Sequence, residues 1–375
     1  MSEFFCPLPW IHRFVQHNGI KMCCASQKTI PVSLEEFNNT DHIINVKRTI
    51  LEGNIPEDCK DCVEVESRGV TSVRQWALSD FPYTSKNVPD VVEFLDLRYS
   101  KLCNFSCRTC NTDFSSSIEK EVLSNPNLSK YFKIKNADFD FDVEKIIDSV
   151  PQLTRLNLTG GEPLIIKEHL RVLDMLVCAG KTDVNLIITT NASTFNKRII
   201  DLIKQFTNVH WTVSIDAVGN SAEYIRHGTN WSQVNSNVEK ILSLGHSVSV
   251  NTTLSALSVL EIASLAHWFK ELKERYYNQP FELGVGLCTI PNFMSPNSLP
   301  DHLRPRAIEQ IETAILVISN IPNQPRDVLD ALEHLHLTLK TATINPDISK
   351  KFIQFTQELD KSRNQNFNTT FNLTL

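Results

Sequence analysis

From Val91 onward, short apolar runs alternate with longer stretches in which apolar residues recur three and four apart. The first pattern predicts strands and the second amphipathic helices. Strands are expected over residues 92–97, 155–158, 184–189, 210–215, 247–252 and 283–288, with helices over 167–178, 197–205, 231–244 and 257–272 between them. Such β/α units join parallel strands by right-handed crossovers. The fold class is therefore α/β, a partial (β/α)6 TIM-type barrel over residues 86–300. Residues 1–85 show little strand periodicity but hold five cysteines, and are expected to form a small N-terminal domain stapled by metal. After residue 300 the pattern is helical, over 303–318, 327–339 and 348–362, giving a C-terminal extension of 301–375. Its last dozen residues are rich in Asn and Thr and are expected to be loosely held.

A barrel of this type carries its chemistry at the C-terminal ends of its strands. The loops leaving the predicted strands hold the chemically unusual residues: Cys103, Cys107 and Cys110 after the first, Gly160 to Pro163 after the second, then Asn191, Asp216 and Cys288. Cys178, late on a helix, reads as core.

Composition narrows the surroundings. Apolar residues make up 41% and charged residues 21% of the 375, so the chain is expected to be globular. A net charge of −6 gives no broad footprint for nucleic acid. No apolar run approaches the roughly 20 residues that span a bilayer, and Met-Ser-Glu-Phe-Phe-Cys-Pro does not read as a secretion signal. A cytoplasmic location is the expectation, and there the ten cysteines are better explained by metal ligation or redox chemistry than by disulfides.

The run Leu102-Cys103-Asn104-Phe105-Ser106-Cys107-Arg108-Thr109-Cys110 places three thiols on one loop after the first strand. Three protein ligands on a four-iron cluster leave one iron open to chelate something else. Zinc is the alternative, and it would normally recruit a fourth Cys or His. Cys-x3-Cys-x2-Cys in this position, with Gly160-Gly161-Glu162-Pro163 after the second strand, resembles the radical S-adenosylmethionine (radical SAM) superfamily over about residues 91–300. The resemblance implies a 4Fe-4S cluster on Cys103, Cys107 and Cys110, with SAM on its open iron. It implies that Gly160, Gly161, Glu162 and Pro163 contact the SAM amino group, that Ser214 binds its carboxylate or ribose, and that Arg226 pairs with its carboxylate. Asn191 matches a polar residue that ends the third strand in relatives. The position before the last cysteine is commonly aromatic in the family and lies against adenine; here it is Thr109, which puts that contact in doubt.

Cys6, then Gly19 with four intervening residues before Cys24, then Cys59-x2-Cys62, resembles the auxiliary-cluster pattern called SPASM or its shorter form, twitch, here placed before the barrel. It implies a second, fully ligated 4Fe-4S cluster on Cys6, Cys24, Cys59 and Cys62, with Cys23 as the substitute for Cys24; a structural zinc is the alternative. His12 is expected to be a surface or packing residue. The implied activity is reductive cleavage of SAM to a 5′-deoxyadenosyl radical that abstracts a substrate hydrogen atom, with electrons from a flavodoxin- or ferredoxin-type reductant. Modification of a peptide is the first expectation for the substrate. A sugar, nucleotide or other small molecule is the second, and an electron-transfer or binding protein is the non-enzymatic alternative. Cys288, ending the sixth strand, is a candidate hydrogen-atom donor to a substrate radical.

Overall fold

The computed structural model describes residues 4–67, 71–134, 139 and 141–375. Its strands are, in chain order, β1 (His12–Gln16), β2 (Gly19–Lys21), β3 (Phe94–Arg98), β4 (Ser106–Cys107), β5 (Arg155–Leu158), β6 (Asn185–Thr190), β7 (Val209–Ser214), β8 (Arg226–His227), β9 (Ser247–Leu254) and β10 (Phe281–Leu287). The chain divides into two compact units. The first comprises Met1–Lys101, Asn136–Ile188 and Arg198–Asn208; the second comprises Leu102–Lys135, Thr189–Lys197 and Val209–Leu375.

In the first unit β1, β3, β5 and β6 pair in parallel, and β2 adds an antiparallel partner to β1. Register sets the packing. Leu95, Leu156 and Leu186 stand in one cross-strand row and Leu97, Leu158 and Ile188 in the next, all buried. Alternation sends the intervening residues, among them Asp96, Arg98 and Asn157, to the opposite face. In the second unit β7, β9 and β10 are parallel, with rows Trp211, Val248, Phe281 and Val213, Val250, Leu283, all buried.

The six strands expected from periodicity are all present, and the class is α/β with mostly parallel strands, consistent with a partial barrel of β/α units followed by C-terminal helices. The helix Lys167–Cys178 has the predicted bounds and turns His169, Val172, Leu173 and Leu176 inward. Cys178 falls off that 3-4 stripe and is exposed, so its reading as core is corrected.

Two features differ from the sequence reading. The N-terminal segment does contain strands: β1 is buried along its whole length, so His12, Arg13 and Gln16 lie inside and break the apolar alternation that would have revealed it. Arg13 is accommodated by hydrogen bonds from Nε to Asn38 Oδ1 (2.7 Å) and from Nη1 to the Pro9 carbonyl (2.9 Å). His12 packs on Phe94, its ring centroid 4.2 Å away, as a packing residue would.

The C-terminal helices Arg304–Ser319, Arg326–Thr341 and Pro346–Arg363 match the expected ones. The tail is not loose. It forms a helix, Phe367–Phe371, capped by Asn366, and buries Phe367 and Phe371 four residues apart on one side. Their rings meet Tyr224 edge-on at 6.5 and 5.3 Å. Composition suggested looseness because Asn and Thr outnumber these two anchors. Among the described residues no helix is long and apolar enough to cross a membrane.

Truncating Phe367, 1% exposed, removes a buried ring from this docked tail. Phe367→Ala is expected to lower unfolding stability by about 3–5 kcal/mol, read from the denaturant midpoint; an unchanged midpoint contradicts the docking described here.

Candidate functional site

The three-cysteine loop belongs to the second unit. Its backbone is held in place residue by residue. Ser117 Oγ donates to the Cys103 carbonyl (2.6 Å), and Ser115 Oγ to the Phe105 carbonyl (2.7 Å), so the start of the helix Ser116–Ser124 braces the loop. Cys107 sits on β4, which pairs with β8 so that Cys107 faces Arg226 across the ladder. The chain can approach this closely because Gly228 follows: a Cβ there would lie 2.9 Å from the Asn104 carbonyl oxygen, and its φ of +104° suits glycine. Asn191 Nδ2 donates to Asn104 Oδ1 (3.1 Å), while Asn191 Oδ1 accepts from the Ser193 amide (2.9 Å). Asn191 therefore both turns its own loop and touches the cysteine loop.

Burial and mutual repulsion set the electrostatics of the loop thiols. Burial pushes Cys110 up to about 12, and the neighbouring Cys107 and Cys103 add to the rise. Burial raises Cys107 as well, against the pull of Arg226. Desolvation of the half-buried Arg226 disfavours its charge, yet Cys107 and Asp216 outweigh that penalty and hold it cationic. Its Nη1 donates to Asp216 Oδ2 (3.0 Å), and Asp216 Oδ1 accepts from the Thr253 amide (2.8 Å). Asp216, 1% exposed, is thus the counter-ion of the site. Among the described residues, the buried Arg226 Nε finds no hydrogen-bond partner. Ser214 is half-buried at the end of β7. Cys288 is buried, its thiol pushed up to about 11 by burial and by Asp216, and its Sγ lies 3.7 Å from the Ile290 carbonyl oxygen.

The Gly-Gly-Glu-Pro turn at 160–163 belongs to the first unit. Gly160 has φ +124°, and a Cβ would stand 2.6 Å from the Ser100 carbonyl oxygen, the same oxygen that accepts from the Gly161 amide (3.0 Å). Glu162 is fully buried, and its Oε1 accepts from the Leu164 amide (3.2 Å). Behind the turn, His169 places Nδ1 3.2 Å from the Pro163 carbonyl oxygen. Burial lowers His169 to about 4, so the ring is neutral and donates there.

Also in the first unit, Cys6, Cys23, Cys59 and Cys62 line one small cavity together with Asp58 and Arg74. Burial pushes Cys6 and Cys59 up to about 12, and each is raised further by the other thiols of the group. Arg74 is fixed beside them by an ion pair with Glu66. The structure puts Cys23 in this cavity, whereas Cys24 is exposed with Asp96 and Arg98 as its charged neighbours. Cys23, the substitute for Cys24 in the sequence reading, is the one that lines the cavity; both residues lie in the bend and turn that follow β2.

Among the described residues, no three His, Cys, Asp or Glu side chains form a group that could hold a single metal ion. The donors fit the larger group that the motif implies. Cys103, Cys107 and Cys110 interact with one another on one braced loop, and the unpartnered Arg226 Nε offers a hydrogen bond to an acceptor beside it. Arg108 and Asp216 carried no assigned role in the sequence reading. A charged residue inside the cysteine motif and an Asp two positions past Ser214 were the available signals.

Two outcomes follow. Gly160→Ala, forced against Ser100 and into a strained φ, is expected to destabilise the protein by about 1–3 kcal/mol and to speed amide exchange at 158–163 in hydrogen–deuterium exchange. In metal-free protein the raised thiols of Cys6 and Cys59 contribute stability that is complete below their ordinary value of 9.0 and is lost as pH climbs towards about 12. Denaturation at about pH 8 and about pH 10 is expected to show a larger loss for wild type than for Cys6→Ala/Cys59→Ala; equal losses contradict the burial of these thiols.

Residues 97–258 match the model of the Radical SAM superfamily. Over 189 residues the chain is 28% identical to the GTP 3′,8-cyclase of Campylobacter lari, covering 49% of this chain and 54% of that protein. Over 168 residues it is 30% identical to the GTP 3′,8-cyclase of Campylobacter curvus, covering 43% and 47%. The chain thus spans about half the length of the curated relatives it matches. Among solved structures it is similar to anSMEcpe with bound AdoMet, at 15% identity and a TM-score of 0.40, covering 62% of this chain and 60% of that one. The residues similar to that family model, 97–258, carry the three-cysteine loop, the Gly-Gly-Glu-Pro turn and the Arg226–Asp216 pair.

Proposed function

We propose that this chain is an enzyme that cleaves SAM reductively on a cluster held by Cys103, Cys107 and Cys110. The observation that carries the reading is the braced three-thiol loop facing a half-buried, ion-paired arginine. When bound, such a cluster supplies the electron that splits SAM into methionine and a 5′-deoxyadenosyl radical, a hydrogen-atom abstractor.

The chain's own residues hold and orient. Loss of their protons turns the three thiols into ligands, and the cation of Arg226 offsets part of the resulting negative charge. Arg226 keeps Nη1 on Asp216 and offers Nε to the SAM carboxylate, while Asp216 fixes the guanidinium plane. In the first unit, Gly160, Gly161, Glu162 and Pro163 offer backbone carbonyls and a buried carboxylate, groups that suit an amino group such as that of SAM. Ser214 and Asn191 complete the polar lining, and the neutral thiol of Cys288 serves as a hydrogen-atom donor where the reaction needs one. Cys6, Cys23, Cys59 and Cys62 hold an auxiliary 4Fe-4S cluster. Electrons come from a flavodoxin- or ferredoxin-type protein.

For the substrate, the similarity to GTP 3′,8-cyclases favours a small molecule of nucleotide type over the peptide suggested by the SPASM-like cysteine pattern. Anaerobically reconstituted protein with dithionite and SAM is expected to release 5′-deoxyadenosine and methionine in equal amounts, and Cys107→Ala to release neither. No product from wild type overturns the enzymatic reading in favour of an electron carrier. Stimulation of product formation by GTP and not by cysteine- or serine-containing peptides supports the nucleotide; the reverse result returns the substrate to a peptide.

A further inference from the structure

Arg108 lies between two of the cluster-loop cysteines, yet its side chain is wholly buried and takes part in no step described above. Its guanidinium stands over the Tyr224 ring at 3.7 Å. Nε donates to the Tyr224 carbonyl (3.0 Å), and Nη2 donates to Asp360 Oδ1 (2.6 Å) and Gln365 Oε1 (3.0 Å). Its backbone amide donates to the Ile225 carbonyl (2.9 Å). Asp360, on the helix Pro346–Arg363, is the hub. Its Oδ1 also accepts from the Tyr224 hydroxyl (2.6 Å), and its Oδ2 accepts from the Phe367 amide (2.7 Å) at the start of the last helix.

One helical turn on, Arg363 makes a bidentate pair with Glu121, Nε to Oε1 and Nη2 to Oε2, both 2.7 Å. Glu121 belongs to the helix Ser116–Ser124 that braces the loop. The C-terminal helix thus grips the cysteine loop twice: through the residue next to Cys107 and through the brace behind Cys103. A fully buried guanidinium is tolerated only where its charge is met, and among the described residues Asp360 supplies the one carboxylate to which it is paired. With that carboxylate gone, Arg108 would seek water and draw the backbone of Cys107 with it.

We propose that Asp360 is a positioning residue for the radical cluster, holding the Cys103, Cys107 and Cys110 loop in its ligating conformation through Arg108. The inference rests on the reading of that loop as a cluster site. The grip lies 252 residues along the chain from the motif it serves, joining the C-terminal extension to the chemistry of the loop.

The test uses the reconstituted full chain and follows iron release to a chelator together with the EPR spectrum of the reduced loop cluster. Asp360→Asn is expected to release loop-cluster iron about tenfold faster, the order found when a residue supporting a metal ligand is removed, and to alter the EPR signal. The auxiliary cluster should be unaffected. Replacing both halves of the pair, Arg108→Met/Asp360→Leu, is expected to restore most of the retention, since no buried charge is then left unmet. Wild-type release and spectrum in Asp360→Asn overturn the proposal, as does a folded double variant no better than the single one. Should Asp360→Asn not fold, Tyr224→Phe, which removes one donor to the same carboxylate, is expected to speed release about threefold; a wild-type rate there overturns it. Wild-type protein that takes up no loop cluster refutes the underlying reading, whereas a wild-type cluster insensitive to Asp360 refutes this inference alone.

Discussion

Thiols that must carry negative charge when they bind metal are placed where burial opposes that charge, and the rest of the second unit is arranged around this conflict. Cys107 and Cys110 are pushed towards the neutral form, so a metal-free loop holds protons that a cluster must displace. Arg226 is the compensating cation. It is itself expensive to bury, and it persists because Asp216 and Cys107 face it from two sides. The short ladder between β4 and β8 ties the two problems together by placing Cys107 and Arg226 in register. Gly228 permits the approach, and the Ser115 and Ser117 hydroxyls satisfy the loop carbonyls that the geometry would otherwise strand.

The N-terminal thiol cavity solves the same problem differently. Four cysteines share one small space, where Cys6, Cys23 and Cys59 are raised by burial and by neighbouring thiols, with Arg74 as the nearby cation and Glu66 as its partner. Four thiols suffice to ligate all the irons of a cluster, which suits electron transfer or structural support; three, as on the Cys103 loop, leave room for chemistry.

Much of this was legible in the chain because periodicity reports burial. β5, β6, β7 and β9 alternate strictly, so their leucines and valines announced themselves, and the cysteine and Gly-Gly-Glu-Pro motifs are each confined to a few neighbouring positions. What was hidden depends on long-range pairing. β1 carries buried polar residues whose partners lie elsewhere, so its alternation is masked. Cys23 and Cys24 are neighbours, and only the direction of the side chain separates them. Asp360 looks like any acid on a polar helix until Arg108 and Tyr224 are seen to converge on it. The tail was misjudged because two phenylalanines, four residues apart, outweigh its many Asn and Thr.

The proposed function requires that a cluster bound by Cys103, Cys107 and Cys110 would keep one iron that no protein side chain ligates. Pulsed electron–nuclear resonance on the reduced protein, with SAM labelled at its amino nitrogen, addresses that atom directly. Hyperfine coupling between the label and the cluster is the expected result. A reduced cluster that shows no coupling, with its fourth iron ligated by a protein side chain, would contradict the account.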